Sequence, residues 1–211
     1  MSILVEISDF LQRGRAPKVK ELVQQALDQG IDPNTILEEG LLLAMSIVGE
    51  KFKKNEVFVP EVLVAARAMN AGVEILRPHL IASGVTTKGK AVIGTVKGDL
   101  HDIGKNIVKM MLEGKGLEVV DLGVDVPAEV FVQKAIEHNA QVICCSALLT
   151  TTMMEMKEVV KKAEEAGIRG KVKIMIGGAP ITQDFCDSIG ADYYTLDAAS
   201  AADVALKICN E

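Results

Sequence analysis

From Lys90 to the end of the chain, short apolar runs alternate five times with longer segments of helical periodicity, and few architectures accept that pattern. The runs near 91–96, 117–121, 141–146, 172–177 and 191–195 have the length and turn boundaries of buried strands. The segments near 103–114, 127–138, 153–166, 180–189 and 198–209 carry apolar residues at helical spacing. Five βα units of this size predict a doubly wound parallel sheet with helices on both faces and right-handed crossovers. In the flavodoxin-like order 2-1-3-4-5 the topological switch lies between strands one and three, and ligands bind outside the carboxyl ends of the strands there. Strand one ends in a loop carrying Asp99 and His101, and strand three ends in Ser146 to Thr152. Periodicity alone therefore brings these two segments together.

The first 83 residues read differently, as helix throughout. Ile3 to Leu11 is a short amphipathic segment, and Val19, Leu22, Val23, Ala26 and Leu27 form the face of a second, closed by Gly30. Asp32-Pro33-Asn34 opens a third, with Leu37, Leu41, Met45, Val48 and Phe52 at helical spacing. Pro60 begins a fourth, where Val62, Ala66, Met69, Val73 and Leu76 share a face, and Ala65, Ala68, Ala71 and Gly72 allow close helix approach. Four helices on short turns predict a small antiparallel bundle. Residues 83–89 are polar and flexible in composition and read as a linker. The expected organisation is a helical cap domain over 1–88 and a Rossmann-like α/β domain over 89–211.

Composition excludes several classes. No apolar run reaches the roughly 18 residues of a membrane span, and the first residues lack a basic region and cleavage site. The formal charge of −6, the lack of tryptophan and the few aromatics argue against a nucleic-acid partner. Cys144, Cys145, Cys186 and Cys209 have no C-x-x-C spacing, so a zinc site is not expected; the adjacent Cys144 and Cys145 read as buried, reduced thiols. Together these features imply a cytoplasmic protein.

The chemistry concentrates in Gly94 to Asn106, G-T-V-K-G-D-L-H-D-I-G-K-N. An imidazole on such a loop can ligate a metal through one ring nitrogen while the other donates to a carboxylate, and Asp99 lies two residues from His101. Gly104 lets the backbone come close to a ligand. A lone D-x-H also reads as a solvated surface histidine. The longer string decides between them: Asp99-x-His101-x-x-Gly104, followed by Ser146-x-Leu148 and Gly177-Gly178, resembles the cobalamin-binding signature of corrinoid-dependent methyltransferases. The resemblance covers nearly the whole chain. It is similar to the small corrinoid proteins of methyltransferase systems and to the cobalamin module of methionine synthase.

The resemblance implies His101 as the lower axial ligand of cobalt, displacing the cofactor's own nucleotide base, with Asp99 and Thr152 completing a relay. Gly98, Asp102, Ile103 and Gly104 belong to the same cofactor-binding loop. Ser146, Leu148 and Thr150 would line the channel for the displaced nucleotide tail, which passes the bare backbone of Gly177 and Gly178 toward Tyr194, Asp197 and Ala198 near the fifth strand. In the bundle, Phe52, Val59, Pro60 and Val62 match the motif that caps the methyl group on cobalt, with Phe58 as an alternative aromatic. Glu38 matches a carboxylate near the corrin edge, although Glu39 adjoins it. Each has an ordinary alternative: hydroxyls satisfying a strand end, glycines of a turn, a tyrosine in core packing, apolar residues of the bundle core. Met153, Met154 and Met156 read as core filler.

The implied function is a methyl carrier cycling between methylcob(III)alamin and cob(I)alamin. A substrate-specific corrinoid methyltransferase would load it from a methylamine, methanol, a betaine or a methoxylated aromatic. A second methyltransferase would pass the methyl to coenzyme M or a tetrahydrofolate-type acceptor, and a reductive activation protein would restore the reduced state. Proton uptake by the linked carboxylate and hydroxyl would weaken histidine ligation. No donor or acceptor pocket is visible, so the chain reads as a shuttle rather than a complete enzyme. The alternatives are a cobalamin-binding subunit of an adenosylcobalamin-dependent carbon-skeleton mutase and a cobalamin-sensing binding module, the latter without a basic DNA-reading domain.

Overall fold

The computed structural model describes residues 2–82 and 87–211; the first four residues of the expected linker, 83–86, lie outside the described residues. The chain forms two compact units, one over 1–87 together with 114–116, the other over 88–113 and 117–211.

The first unit is helical. Helix α1 (Ile3–Gln12) begins at Ser2, whose hydroxyl accepts the Val5 N–H, and α2 (Ala16–Asp28) has a proline in its first turn. The third predicted helix is observed as three continuous pieces: α3 (Pro33–Thr35), capped by Asp32 on Thr35 N at 3.0 Å, a π-helical segment (Ile36–Leu42), and α4 (Leu43–Lys53). The wider winding puts Ile36 and Leu41, five residues apart, both fully inside the bundle. Helix α5 (Val59–Ala82) packs most extensively on α2, and a Cβ added at Gly72 would meet Leu41 and Val19, which is why a bulky residue has no room there.

The second unit runs β1 (Lys90–Thr95), α6 (Ile103–Gly114), β2 (Glu118–Asp121), α7 (Ala128–His138), β3 (Val142–Ser146), α8 (Glu155–Glu165), β4 (Lys173–Gly177), α9 (Gln183–Ile189), β5 (Tyr193–Tyr194) and α10 (Ala198–Cys209). The five strands pair in parallel in the order β2-β1-β3-β4-β5. This is the flavodoxin-like, doubly wound order that the alternation predicts. Near-continuous burial along β1, β3 and β4 is what a sheet covered on both faces requires, and Val92, Ile143, Ile174, Phe131, Met156 and Val159 pack in its core.

Strand β5 and helix α8 are among the elements shorter than the periodicity suggests. The predicted strand at 191–195 is ordered as a ladder only at 193–194, because the Asp192 carboxylate takes the Ile174 N–H at 2.7 Å and the Arg169 guanidinium at 2.6 Å. The segment 152–154 forms turns on the Leu149 carbonyl before α8 starts at Glu155. Among the described residues, no helix is long and apolar enough to cross a membrane. Burial pushes the Cys144 thiol, which also faces Cys209, up to about 12, and burial beside Cys144 pushes the Cys145 thiol well above its ordinary value, so neither is a ready nucleophile.

Candidate functional site

The register places Thr95, Ser146 and Gly177 in one row across the carboxyl edge of the sheet. The loops leaving those three residues build the site. After β1 the chain turns at Gly98, in the left-handed region at φ +81°, and Asp99 points back beneath the loop with none of its surface exposed. Such a carboxylate needs donors, and it has five. Its Oδ1 accepts the His101 N–H at 3.0 Å and His101 Nδ1 at 2.7 Å. Its Oδ2 accepts Leu148 N at 2.8 Å, Leu149 N at 3.2 Å and the Thr152 hydroxyl at 2.9 Å. The loops after β1 and β3 are thus joined through one side chain.

The electrostatic consequence follows directly. Burial alone would push the Asp99 carboxyl up, but the N–H groups of His101 and Leu148, the imidazole and the Thr152 hydroxyl outweigh it and hold the carboxyl well below the usual range. It is ionised at neutral pH and acts only as an acceptor. The Thr152 hydroxyl also lies 3.0 Å from the Leu149 carbonyl, but its single proton goes to the stronger, ionised acceptor.

An ionised acceptor on Nδ1 fixes the imidazole as the Nδ1–H tautomer, leaving the Nε2 lone pair outward. The ring is half exposed, and no hydrogen bond to Nε2 occurs among the described residues. The His101 backbone is equally fixed, because the fully buried Thr95 hydroxyl donates to its carbonyl at 2.8 Å. The loops and helix start at the carboxyl edge of the sheet carry exposed apolar side chains: Leu100 (71 %) and Ile103 (72 %) on either side of His101 in sequence, Leu148 (44 %) after β3 and Leu196 (87 %) after β5. A Cβ at Gly104 or Gly177 would project into open space, whereas one at Gly178 would collide with the Ala147 carbonyl. Among the described residues, no group of three His, Cys, Asp or Glu side chains forms a metal site. One free imidazole nitrogen in an apolar surround fits a metal whose other positions come from a macrocycle.

The remaining predicted residues divide by unit. Gly98 and Asp102 lie on the loop after β1, Ile103 and Gly104 open α6, Leu148 and Thr150 lie on the loop after β3, and Ser146 and Gly177 end their strands. Asp102 accepts from Asn106 at 3.0 Å. Tyr194 packs on the sheet core from β5, and Ala198 is buried at the start of α10, whose cap is Asp197 on Ser200. In the helical unit, Val62 is fully buried, Phe52 and Val59 are half-buried, Phe58 is 62 % exposed, and Glu38 lies in the π-helical segment. Sequence reading missed Thr95 and Leu149. The first left a signal, a hydroxyl ending an otherwise apolar strand; the second contributes only its backbone.

Comparison with known proteins gives consistent matches. Residues 89–207 match a family model described as a B12 binding domain, and residues 3–77 match a second model of the same description. Trimethylamine corrinoid protein 1 of Methanosarcina mazei is 49 % identical over 190 residues, 89 % of this chain and 87 % of that protein. A corrinoid protein of Desulfitobacterium hafniense is 42 % identical over 99 % of this chain and 98 % of its own length. Among solved structures, the methanol:cobalamin methyltransferase complex of Methanosarcina barkeri superimposes with a TM-score of 0.89 at 34 % identity, covering 99 % of this chain and 80 % of that one.

Proposed function

Since the chain belongs to the corrinoid proteins of methyltransferase systems, we propose that it is a methyl-carrying subunit that binds cobalamin or a related corrinoid with His101 as the lower cobalt ligand. The observation that carries this reading is the outward Nε2 of an imidazole whose other nitrogen is locked on a fully buried, five-fold bonded carboxylate. Bound there, the corrin supplies a cobalt centre able to take a methyl group from one enzyme and yield it to another.

The chain's own residues supply the rest. Asp99 holds the ring in the ligating tautomer and fixes its orientation. Thr152, Leu148 and Leu149 keep Asp99 charged, and Thr95 fixes the His101 backbone. The exposed leucines and Ile103 gain by covering the apolar faces of a macrocycle. Ser146, Leu148, Thr150 and the glycines at 177 and 178 would receive the displaced nucleotide, and Tyr194 and Ala198 would hold its base. Phe52 and Val59 of the helical unit would shield the methyl group, with Val62 enclosed in the interior of that unit, and Glu38 would meet the corrin edge. Relatives named as trimethylamine corrinoid proteins support a methylamine as the source of the methyl group. The partners are a substrate-specific methyltransferase, a second methyltransferase and a reductive activator; the carrier is not a complete enzyme by itself.

The test is loading with hydroxocobalamin followed by desalting. The parent chain is expected to retain colour with a histidine-ligated visible spectrum, and His101→Ala to bind weakly or with the cofactor's own base on cobalt. An unchanged coordination spectrum in His101→Ala would refute the ligand assignment.

A further inference from the structure

The loop from Leu122 to Pro127, between β2 and α7, touches the His101 loop at the peptide two residues before the imidazole. Asp125 does this with both its side chain and its backbone. Its Oδ1 accepts the Gly98 N–H at 2.7 Å, and its own N–H donates to the Asp99 carbonyl at 3.0 Å. It does so from the left-handed region, at φ +54°, which a residue other than glycine adopts at a cost. The loop is pinned at its base as well. Asp121 receives Lys105, which is 3 % exposed, and Lys109 from α6, and its Oδ1 accepts the Gly123 N–H at 3.0 Å. Thr95 N and Val126 N then close it onto β1, through the Gly123 and Thr95 carbonyls, both at 3.0 Å.

We propose that Asp125 is a positioning residue for cobalt ligation: by holding the two-residue Gly98–Asp99 stretch at both ends, the Gly98 N–H and the Asp99 carbonyl, it sets where the His101 imidazole stands. The inference rests on the corrinoid reading above and adds a residue to it. Without the carboxylate the left-turning Gly98 peptide loses its only described acceptor, and the loop that presents His101 can shift while Asp99 and His101 remain paired. Partners of this outer kind change metal affinity on the order of tenfold or more.

The experiment uses the full chain loaded with cob(II)inamide, which has no nucleotide base, so that any axial nitrogen comes from the protein. The parent is expected to show each cobalt EPR line split into a triplet by one nitrogen. Asp125→Gly keeps the left-handed backbone without strain and loses only the acceptor. It is expected to melt with the parent while its nitrogen-ligated fraction falls about tenfold. Asp125→Asn keeps an acceptor oxygen and tolerates the same backbone, and is expected to restore the triplet. A full triplet in Asp125→Gly overturns the inference, as does a loss that Asp125→Asn fails to repair. An unsplit parent spectrum would instead overturn His101 ligation itself, and this inference with it.

Discussion

The two units handle their predicted functional residues in opposite ways. In the α/β unit, Asp99, His101 and Thr152 come from loops about fifty residues apart and meet in a network where every distance is set by hydrogen bonds. In the helical unit, Phe52, Val59 and Val62 have no polar partners and differ only in burial. Ligating a metal requires one atom in one place, and directional bonds to a buried charge achieve that. Shielding a reactive group requires only apolar bulk, which core packing supplies without a distinct signature. A change in the first region is therefore expected to alter chemistry and stability together, and in the second to separate them.

The largest expected effect is at Asp99. In Asp99→Asn the amide has one acceptor oxygen for five donors. With its NH2 toward His101, it donates to Nδ1, drives the ring proton to Nε2 and blocks the ligating lone pair. Flipped, it faces the Leu148 and Leu149 N–H groups with donors of its own. Either way stability is expected to fall by about 2–5 kcal/mol in urea titrations. The pH dependence changes too. A carboxyl held below its ordinary value in the folded state contributes stability that is present above about pH 4 and lost as pH falls. The variant should therefore show a flatter acid limb. An acid limb as steep as the parent's would assign that dependence elsewhere, with Asp121, held low by Lys105 against its own burial, as the next carboxylate to examine.

These contrasts match what could be read from residues alone. The strand order and the meeting of the β1 and β3 loops were legible because both depend on periodicity and on one topological rule. The roles of His101, Asp99 and Thr152 came from resemblance, since nothing local ties residue 152 to residue 99. Asp125 and the Lys105–Asp121 pair were not legible, because only the register of β1 against β2 brings them to the loop, whereas Thr95 left a hydroxyl at the end of an apolar strand as its one signal. The π-helical segment was hidden for another reason. Leu37, Leu41 and Met45 satisfy ordinary helical spacing, so the pattern gave no sign that Ile36 and Leu41 would share the buried face.

Thr152 gives a smaller effect that sharpens the account of the network. Thr152→Val is close in shape and removes one of the five donors to Asp99, so its cost is expected to be about 1–2 kcal/mol. Four donors would still hold the carboxylate ionised, and cobalt ligation should weaken without being lost. Thr152→Ser keeps the donor and should behave like the parent in ligation. Equal cobalt spectra in the valine and serine variants would remove the hydroxyl from the relay and leave it as a turn residue on the Leu149 carbonyl.

The smallest effect separates shielding from packing in the helical unit. Val62 has no exposed surface, whereas Phe52 is only half-buried. Val62→Ala removes two methyl groups from a packed interior and is expected to lower stability by about 1–2 kcal/mol. Phe52→Ala removes a ring that the bundle only partly encloses, so its cost to the ligand-free protein should be smaller. If Phe52 shields the bound methyl group, its variant should retain methylcobalamin yet lose the methyl group faster under light, while Val62→Ala should photolyse at the parent rate. The opposite pattern would make Phe52 a packing residue and transfer the shielding role to Val62. Equal photolysis in all three proteins would mean that neither side chain reaches the methyl group, and Phe58, the most exposed aromatic of the unit, would be the next to truncate.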